Sequence, residues 1–379
     1  MNIDASCDRA FRPLVDFKFG QAYTYAGVRI VVTSDDGSVI DDLNNYLPES
    51  SAIGAGAAYE ISHSVDQVAE VAIREFCSQG SEIQAKEDLF YRVRRFREFV
   101  CYASSFGSLD DLHVLVKRGR RISVICAGDS EAAIRTPLRI FRELLLRHLE
   151  NNGAILVHAA AAKLPDGRGV LLVGNARAGK TSTMCQLILN NGAEYISGDR
   201  CVIYPVNDEV RCIGWPFAVR VGVGFIKESR IIDSLDLSCL RRSQVPDILN
   251  DSNRDVGADT WGSTSKVELT PREFCQVFRC NHAESAPIKV IVFPRLTPDG
   301  TPMMVCDVGD ESFLTLDESI YEPLDPDFLR GWLGLRAISD EDILKNSNLI
   351  KEKLRSVKSL CVIGDPRNGG LPAEFLDWR

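Results

Sequence analysis

The stretch from Gly169 to Ser182, GVLLVGNARAGKTS, constrains the fold of this chain more than any other. Val170, Leu171, Leu172 and Val173 read as a buried strand. Gly174-Asn175-Ala176-Arg177-Ala178-Gly179-Lys180-Thr181 follows as G-x-x-x-x-G-K-[ST]. Glycines permit a turn tight enough for successive backbone N–H groups to converge on phosphate oxygens. Lys180 supplies a point charge for β- and γ-phosphates, and Thr181 offers a hydroxyl to Mg²⁺. Thr181 to Asn190 suits a helix, which would set the loop on a helix N-terminus, where anions are favoured. The bare pattern also arises by chance, as a glycine-bearing turn between strand and helix. An apolar strand before it and an amphipathic helix after it favour a nucleotide cradle running from Gly174 to Ser182.

The 379 residues are enough for two domains with a core in each. A net charge of −9 argues against a nucleic-acid binder that relies on a broad basic field. No apolar run is long enough to span a bilayer and no signal-peptide pattern is present, so no membrane partner and a cytoplasmic location are expected. The 12 cysteines contain no C-x-x-C pair, and the closest, Cys275 and Cys280, have no nearby histidine at ligand spacing except in Cys280-x-His282, so a structural zinc site is not expected. Most lie in apolar runs and read as small buried hydrophobes.

The first part, residues 1–128, reads as a small α+β domain with antiparallel pairing. Its strand signals are Val28 to Val32 and a hairpin from His113 to Ile125, with Lys117, Arg118, Arg120 and Arg121 around a basic tip. Arg92, Arg94, Arg95 and Arg97 fall on an expected helix, as a solvated face or as a docking surface for an acidic partner. Residues 129–379 form the expected second domain. It opens with an amphipathic helix over Ile134 to Asn151, with Pro137 in its first turn. An apolar strand, Ala154 to Ala161, is interrupted by His158, and a turn at Lys163 to Arg168 leads into the phosphate-loop strand. A hairpin in that place differs from the helical crossover of doubly wound ATPases. Further strands are expected at Cys201 to Tyr204, Val210 to Phe217, Ala218 to Phe225, Lys266 to Leu269 and a central Ile288 to Phe293. Ile231 to Trp261 reads as loop and short helix, Asp340 to Val357 as helix and Leu360 to Ile363 as strand, before an aromatic tail from Phe375 to Trp378.

A phosphate loop needs an acidic partner at the end of a neighbouring strand. Asp199 in SGDR is the best candidate, as base or as metal ligand; a strand-end turn aspartate is the plainer reading. His158 reads as a core histidine or as a lining of the same site. Arg177 either reaches a phosphate or points to solvent, and Arg220 and Lys266 are the best later cations.

His158, then GVLLVGNARAGKTS, then SGDR and a strand together resemble the catalytic domain of HPr kinase/phosphorylase and its HPr-kinase-like relatives. The resemblance runs from about Arg135 to Arg295. It includes Trp215-Pro216 with a cation beyond, Lys266 before a strand, and Ile291 to Arg295. It implies an α/β fold like that of phosphoenolpyruvate carboxykinase, a P-loop in a mixed, largely antiparallel sheet. It implies ATP on Gly174 to Ser182, Mg²⁺ on Thr181 and Asp199, and catalytic roles for Asp199, His158 and Lys180, while Arg177 is expected, from its place in the loop, to help hold the transferring phosphate. Two departures stand out: Gly198 replaces the first Asp of the family's pair, and Arg177 replaces a frequent glycine. No stretch matches the family's dephosphorylation loop. The expected activity is transfer of the ATP γ-phosphoryl group to a hydroxyl, on Ser or Thr of a peptide or protein. A small-molecule acceptor, and a non-catalytic nucleotide switch, are the alternatives. A homo-oligomer is compatible with either. No guanine-specificity motif points to a GTPase.

Overall fold

The computed structural model describes residues 3–11, 13–47, 58–86, 89–105, 112–228, 266–297, 299–325, 328–366 and 371. The chain divides into two compact units, Met1–Asn152 with Asp327–Ile338, and Gly153–Pro326 with Ser339–Arg379.

The first unit runs α1 (Ile3–Ala10), β1 (Phe19–Tyr25), β2 (Val28–Ser34), α2 (Gly37–Tyr46), β3 (Tyr59–Val65) and α3 (Gln67–Cys77). It continues β4 (Ser81–Lys86), β5 (Leu89–Phe96), β6 (Phe99–Ser105), β7 (His113–Arg118), β8 (Arg121–Cys126) and α4 (Glu131–Asn151). Its described strands form one sheet in the order β1-β2-β3-β8-β7-β6-β5-β4. The expected antiparallel pairing holds for most neighbours, but β3 runs parallel to both β2 and β8. α2 supplies the crossover that the parallel β2–β3 pair requires.

Arg92, Arg94, Arg95 and Arg97 lie on β5 and its turn into β6, not on the expected helix. Leu89 and Tyr91 are fully buried at alternate positions, and Phe, Tyr and Val in this stretch suit a pleated surface. Several of these cations already have partners. Arg94 lies 4.5 Å over the Phe76 ring, Arg97 sits 2.7 Å from Asp4, and Arg121 sits 2.8 Å from Glu60.

α4 starts at Glu131, capped by the Ser130 hydroxyl, which puts Pro137 in the second turn and not the first. The helix belongs to the first unit, so the domain expected to open at residue 129 opens at Gly153. Ring contacts with the first sheet explain this placement: Phe141 packs edge-on against Tyr23 of β1, centroids 5.9 Å apart, and His148 against Tyr59 of β3, 6.5 Å apart. Arg147 is wholly buried between Glu143, at 3.0 Å, and Glu150, and it also donates to the Leu329 carbonyl. Arg336 reaches Glu150 at 3.1 Å, and Trp332 stacks on Tyr91 with centroids 4.7 Å apart. A segment late in the chain is thus fixed to α4 by buried charges that are tolerable only when paired.

The second unit runs β9 (Ile155–Val157), β10 (Ala160–Lys163), β11 (Gly169–Leu172), α5 (Lys180–Asn191), β12 (Glu194–Ser197), β13 (Cys201–Val206) and β14 (Glu209–Gly214). Then come β15 (Val219–Gly222), α6 (Val223–Glu228), β16 (Lys266–Leu269), α7 (Pro271–Phe278), β17 (Ser285–Leu296), β18 (Met304–Cys306), α8 (Asp310–Ser319), α9 (Asp340–Arg355) and β19 (Lys358–Gly364). Among the described residues the main sheet has the order β12-β10-β11-β17-β14-β13-β9, with β19 joined to β17 and β18 joined to β19. It is mixed: β11 and β19 run parallel to β17, and the other pairs are antiparallel. β17 is central, as its apolar sequence suggested. The expected loop at 231–261 and the aromatic tail at 375–378 lie outside the described residues.

β17 serves two halves of this sheet. Ser285 to Pro287 pair with β14, whereas Ile288 onward pairs with β11. The single strand expected over Ala154 to Ala161 is two short strands, β9 in one half and β10 in the other, with a break at His158-Ala159. β12 and β13 break in the same way at Gly198-Asp199-Arg200. Val157 faces Cys201 on one side of the breaks and Ala161 faces Ser197 on the other. The two antiparallel strands therefore change sheets together.

Two imidazoles, one buried and one half-buried, tie the fold to pH. His63 in β3 is 1% exposed, pairs with Ser34 through Nδ1 at 3.0 Å, and has no described partner at Nε2. Burial lowers its pKa to about 4, against the opposing charges of Asp36 and Asp35. His282 is likewise lowered to about 4 by burial, against a hydrogen bond that its ring donates to the Ile196 backbone carbonyl. Between pH 6.5 and about 4 the unfolded chain binds protons that the folded chain refuses, so stability falls as pH falls through that window. His63 alone accounts for roughly 3 kcal/mol of the fall. His63→Gln should flatten the stability–pH curve from chemical denaturation by about that amount. An unchanged slope would contradict a neutral buried imidazole.

Candidate functional site

The loop after β11 is anchored at both ends to β17. The Val173 N–H donates to the Val292 carbonyl at 2.9 Å, and the Leu296 N–H donates to the Ala178 carbonyl at 3.0 Å. Within the loop the Ala178 N–H donates to the Asn175 carbonyl at 3.1 Å. Gly179 caps α5 at φ 103°, and a Cβ there would lie 2.5 Å from the Leu296 side chain. Only glycine meets both demands. Arg177 also has a left-handed backbone, φ 69°, at the position where the resemblance places glycine. Such a conformation costs an L-residue roughly 1–2 kcal/mol and is kept only where surroundings enforce it. The Arg177 side chain is exposed and pairs with no described residue.

Lys180 is buried and folds back over the loop. Its Nζ donates to the Gly174 carbonyl at 2.6 Å and to the Asn175 carbonyl at 3.4 Å. Burial lowers its pKa, Lys266 lowers it further, and Asp199 opposes both. Lys266 is thus brought within electrostatic reach of the loop. Arg220 instead pairs with Glu268 at 3.3 Å, and Arg295 with Glu311 at 2.7 Å. Thr181 is half-buried, and no described residue bonds its hydroxyl. Ser182 is half-buried beside it.

His158 and Asp199 occupy the two breaks where strands change sheets, and they face one another with Nε2 3.4 Å from Oδ1. Their side chains are 39% and 41% exposed, so neither is a core residue. Burial of Asp199 works against ionisation. The hydrogen bond and charge of His158, then Arg200 and Lys180, outweigh it and hold the carboxyl below its usual range. Asp199 is therefore an ionised base at neutral pH. The His158 N–H donates to the Ser319 carbonyl at 2.7 Å, and the Tyr321 N–H donates to the Leu156 carbonyl at 3.1 Å. These bonds bring Tyr321 beside His158 with rings nearly parallel and centroids 6.5 Å apart. No signal at Tyr321 marks it in the sequence, because its place is set by strand pairing distant along the chain. Arg200, adjacent to Asp199, was equally silent.

Gly198 has a steric cause. A Cβ there would lie 2.6 Å from Cγ1 and 3.2 Å from Cβ of Val219, which belongs to the core against α5. A residue with a side chain does not fit at position 198 unless the Val219 side chain gives way. Among the described residues no group of three potential metal-ligating side chains gathers here or elsewhere.

No family model matches the chain, and no curated protein sequence matches it. Among solved structures, the Hpr(Ser) kinase/phosphatase from Coxiella burnetii is similar over 40% of this chain and 77% of its own, at 9% identity and a TM-score of 0.21. A likeness of that size carries no argument about fold or activity. Among the described residues no helix is long and apolar enough to cross a membrane.

Gly198→Asp should lower stability by about 1–3 kcal/mol through overpacking against Val219, read as a fall in Tm. Val219→Ala in the same chain should recover part of the loss. A Gly198→Asp protein as stable as the parent would contradict the collision.

Proposed function

We propose that the protein is an ATP-dependent phosphotransferase of the HPr-kinase-like kind, acting on the hydroxyl of Ser or Thr in a peptide or protein. The observation that carries this reading is Asp199, an ionised carboxylate facing His158 on one side and within the field of the phosphate-loop lysine on the other. A base so placed is suited to take a proton from a hydroxyl whose oxygen attacks the γ-phosphorus.

Each loop residue has a part in that reaction. Lys180 and the N–H groups from Gly174 to Ser182 bind the β- and γ-phosphates, and Arg177 is a further cation at the rim. The unengaged hydroxyl of Thr181 fits a Mg²⁺ site completed by water and phosphate oxygens, the set this small cation prefers. Bound there, Mg²⁺ would neutralise charge on the phosphates. Asp199 suits the metal less well, because one oxygen faces His158 and the other faces Arg200. It is assigned as the proton acceptor, with His158 holding its carboxylate in place. The acceptor oxygen bonds to the γ-phosphorus, its proton passes to Asp199, and the bond to the β-phosphate oxygen breaks to release ADP.

A second reading, a switch in which ATP only orders a partner surface, is favoured by the lone carboxylate at Gly198-Asp199. Asp199→Asn separates the two. On the phosphotransferase reading it keeps nucleotide affinity and loses transfer by about 10²-fold or more. Transfer within about twofold of the parent would sink the role of Asp199 as base.

A further inference from the structure

Arg200 has an arrangement that the reaction described above does not use. Its guanidinium lies over two rings, 5.7 Å from the Phe217 centroid and 5.3 Å from that of Tyr321. Its backbone carbonyl accepts a hydrogen bond from the Ser197 hydroxyl, and Tyr321 is pinned by the bond to Leu156. Planar guanidinium on aromatic faces is a pre-organised cation that has already lost much of its rotamer freedom. Its donors are nonetheless unspent. Nε is buried without a hydrogen-bond partner, and its nearest Asp199 oxygen is 3.8 Å away, beyond hydrogen-bond range. No described residue accepts from its terminal nitrogens, and the side chain is 25% exposed.

Geometry also gives Arg200 a side. Oδ1 of Asp199 faces His158 and Oδ2 faces Arg200, so Arg200 flanks the edge of the carboxylate that the imidazole leaves. On the phosphotransferase reading, an acceptor hydroxyl that reaches Asp199 comes in beside this arginine. The planar fork of an arginine suits a carboxylate in bidentate fashion. With His158 and Asp199 both about two-fifths exposed, the rim among the described residues is open, unlike the enclosed pockets that bury small metabolites.

We infer that Arg200 is an acceptor-binding residue, and that the acceptor is an acidic peptide with an Asp or Glu side chain close to the receiving hydroxyl. The inference rests on the phosphotransferase reading for the position of the acceptor, but binding tests it without turnover. Two sets of short peptides with a single serine, flanked by Asp in one and by Asn in the other, are titrated by fluorescence anisotropy. The full chain carries Mg²⁺ and a non-hydrolysable ATP analogue in each titration. The parent should bind the Asp set about tenfold more tightly than the Asn set. Arg200→Gln should shrink that gap to within about twofold and leave affinity for the ATP analogue unchanged. Arg200→Lys, which keeps the charge without the fork, should give an intermediate preference and serves if the Gln variant does not fold. No acid preference in the parent, or a full preference in either variant, would overturn the inference. So would a loss of nucleotide affinity in Arg200→Gln, which would place the arginine on the phosphates. Arg200-dependent binding of the Asp set without any transfer from ATP would leave this inference standing and remove the phosphotransferase reading instead.

Discussion

A strand that passes from one sheet into another must leave its ladder for a few residues, and the second unit makes this passage twice at one level. β9 breaks into β10 at His158-Ala159, and β12 breaks into β13 at Gly198-Asp199-Arg200. The antiparallel register, Val157 opposite Cys201 and Ala161 opposite Ser197, sets the two breaks side by side. Backbone freed from a ladder is where functional side chains are commonly carried by a rigid scaffold. Here it carries an imidazole and a carboxylate 3.4 Å apart, with an arginine next to them. The hairpin from β10 to β11 then delivers the phosphate loop from the same strand that bears the break. The geometry of the site is therefore a consequence of strand pairing.

The loop between β11 and α5 depends on β17 in the same way. Its ends bond to Val292 and Leu296, and the side chain of Leu296 fills the space that any Cβ at residue 179 would need. Close packing of this kind transmits identity from core to site: Val219 does for Gly198 what Leu296 does for Gly179. The lone carboxylate is then a steric result. With Val219 in place, position 198 holds glycine, and Asp199 is left as the one acidic side chain of the SGDR turn.

Much of this was legible in the sequence, and unevenly. The strand, turn and helix around Gly174 to Thr181, the hairpin before them and the central strand at 288–293 follow from local pattern, because each is a short element with strong apolar runs or turn residues. Asp199 and His158 were singled out by their spacing from the loop, but their meeting depends on register, which no local pattern carries. The arginines from Arg92 to Arg97 were read as a helix because Leu89, Val93 and Phe96 also fit a helical period. The structure shows alternation instead, decided by pairing with β4 and β6. The start of the second unit was misplaced because α4 is amphipathic whichever sheet it covers. Its place on the first sheet depends on Phe141 meeting Tyr23 and His148 meeting Tyr59, and on contacts with residues 329–336, far along the chain. Tyr321 and Arg200 were silent for the same reason.

The central claim is that the carboxylate at the strand break takes the proton of an acceptor hydroxyl while the loop holds ATP. The most direct measurement is the balance between ADP released and phosphoryl groups gained by a pool of serine and threonine peptides, followed by mass spectrometry under single-turnover conditions with ATP and Mg²⁺. The account predicts one phosphorylated peptide for each ADP formed. ATP that stays bound and intact, or ADP that appears with no peptide gaining a phosphoryl group, would contradict it.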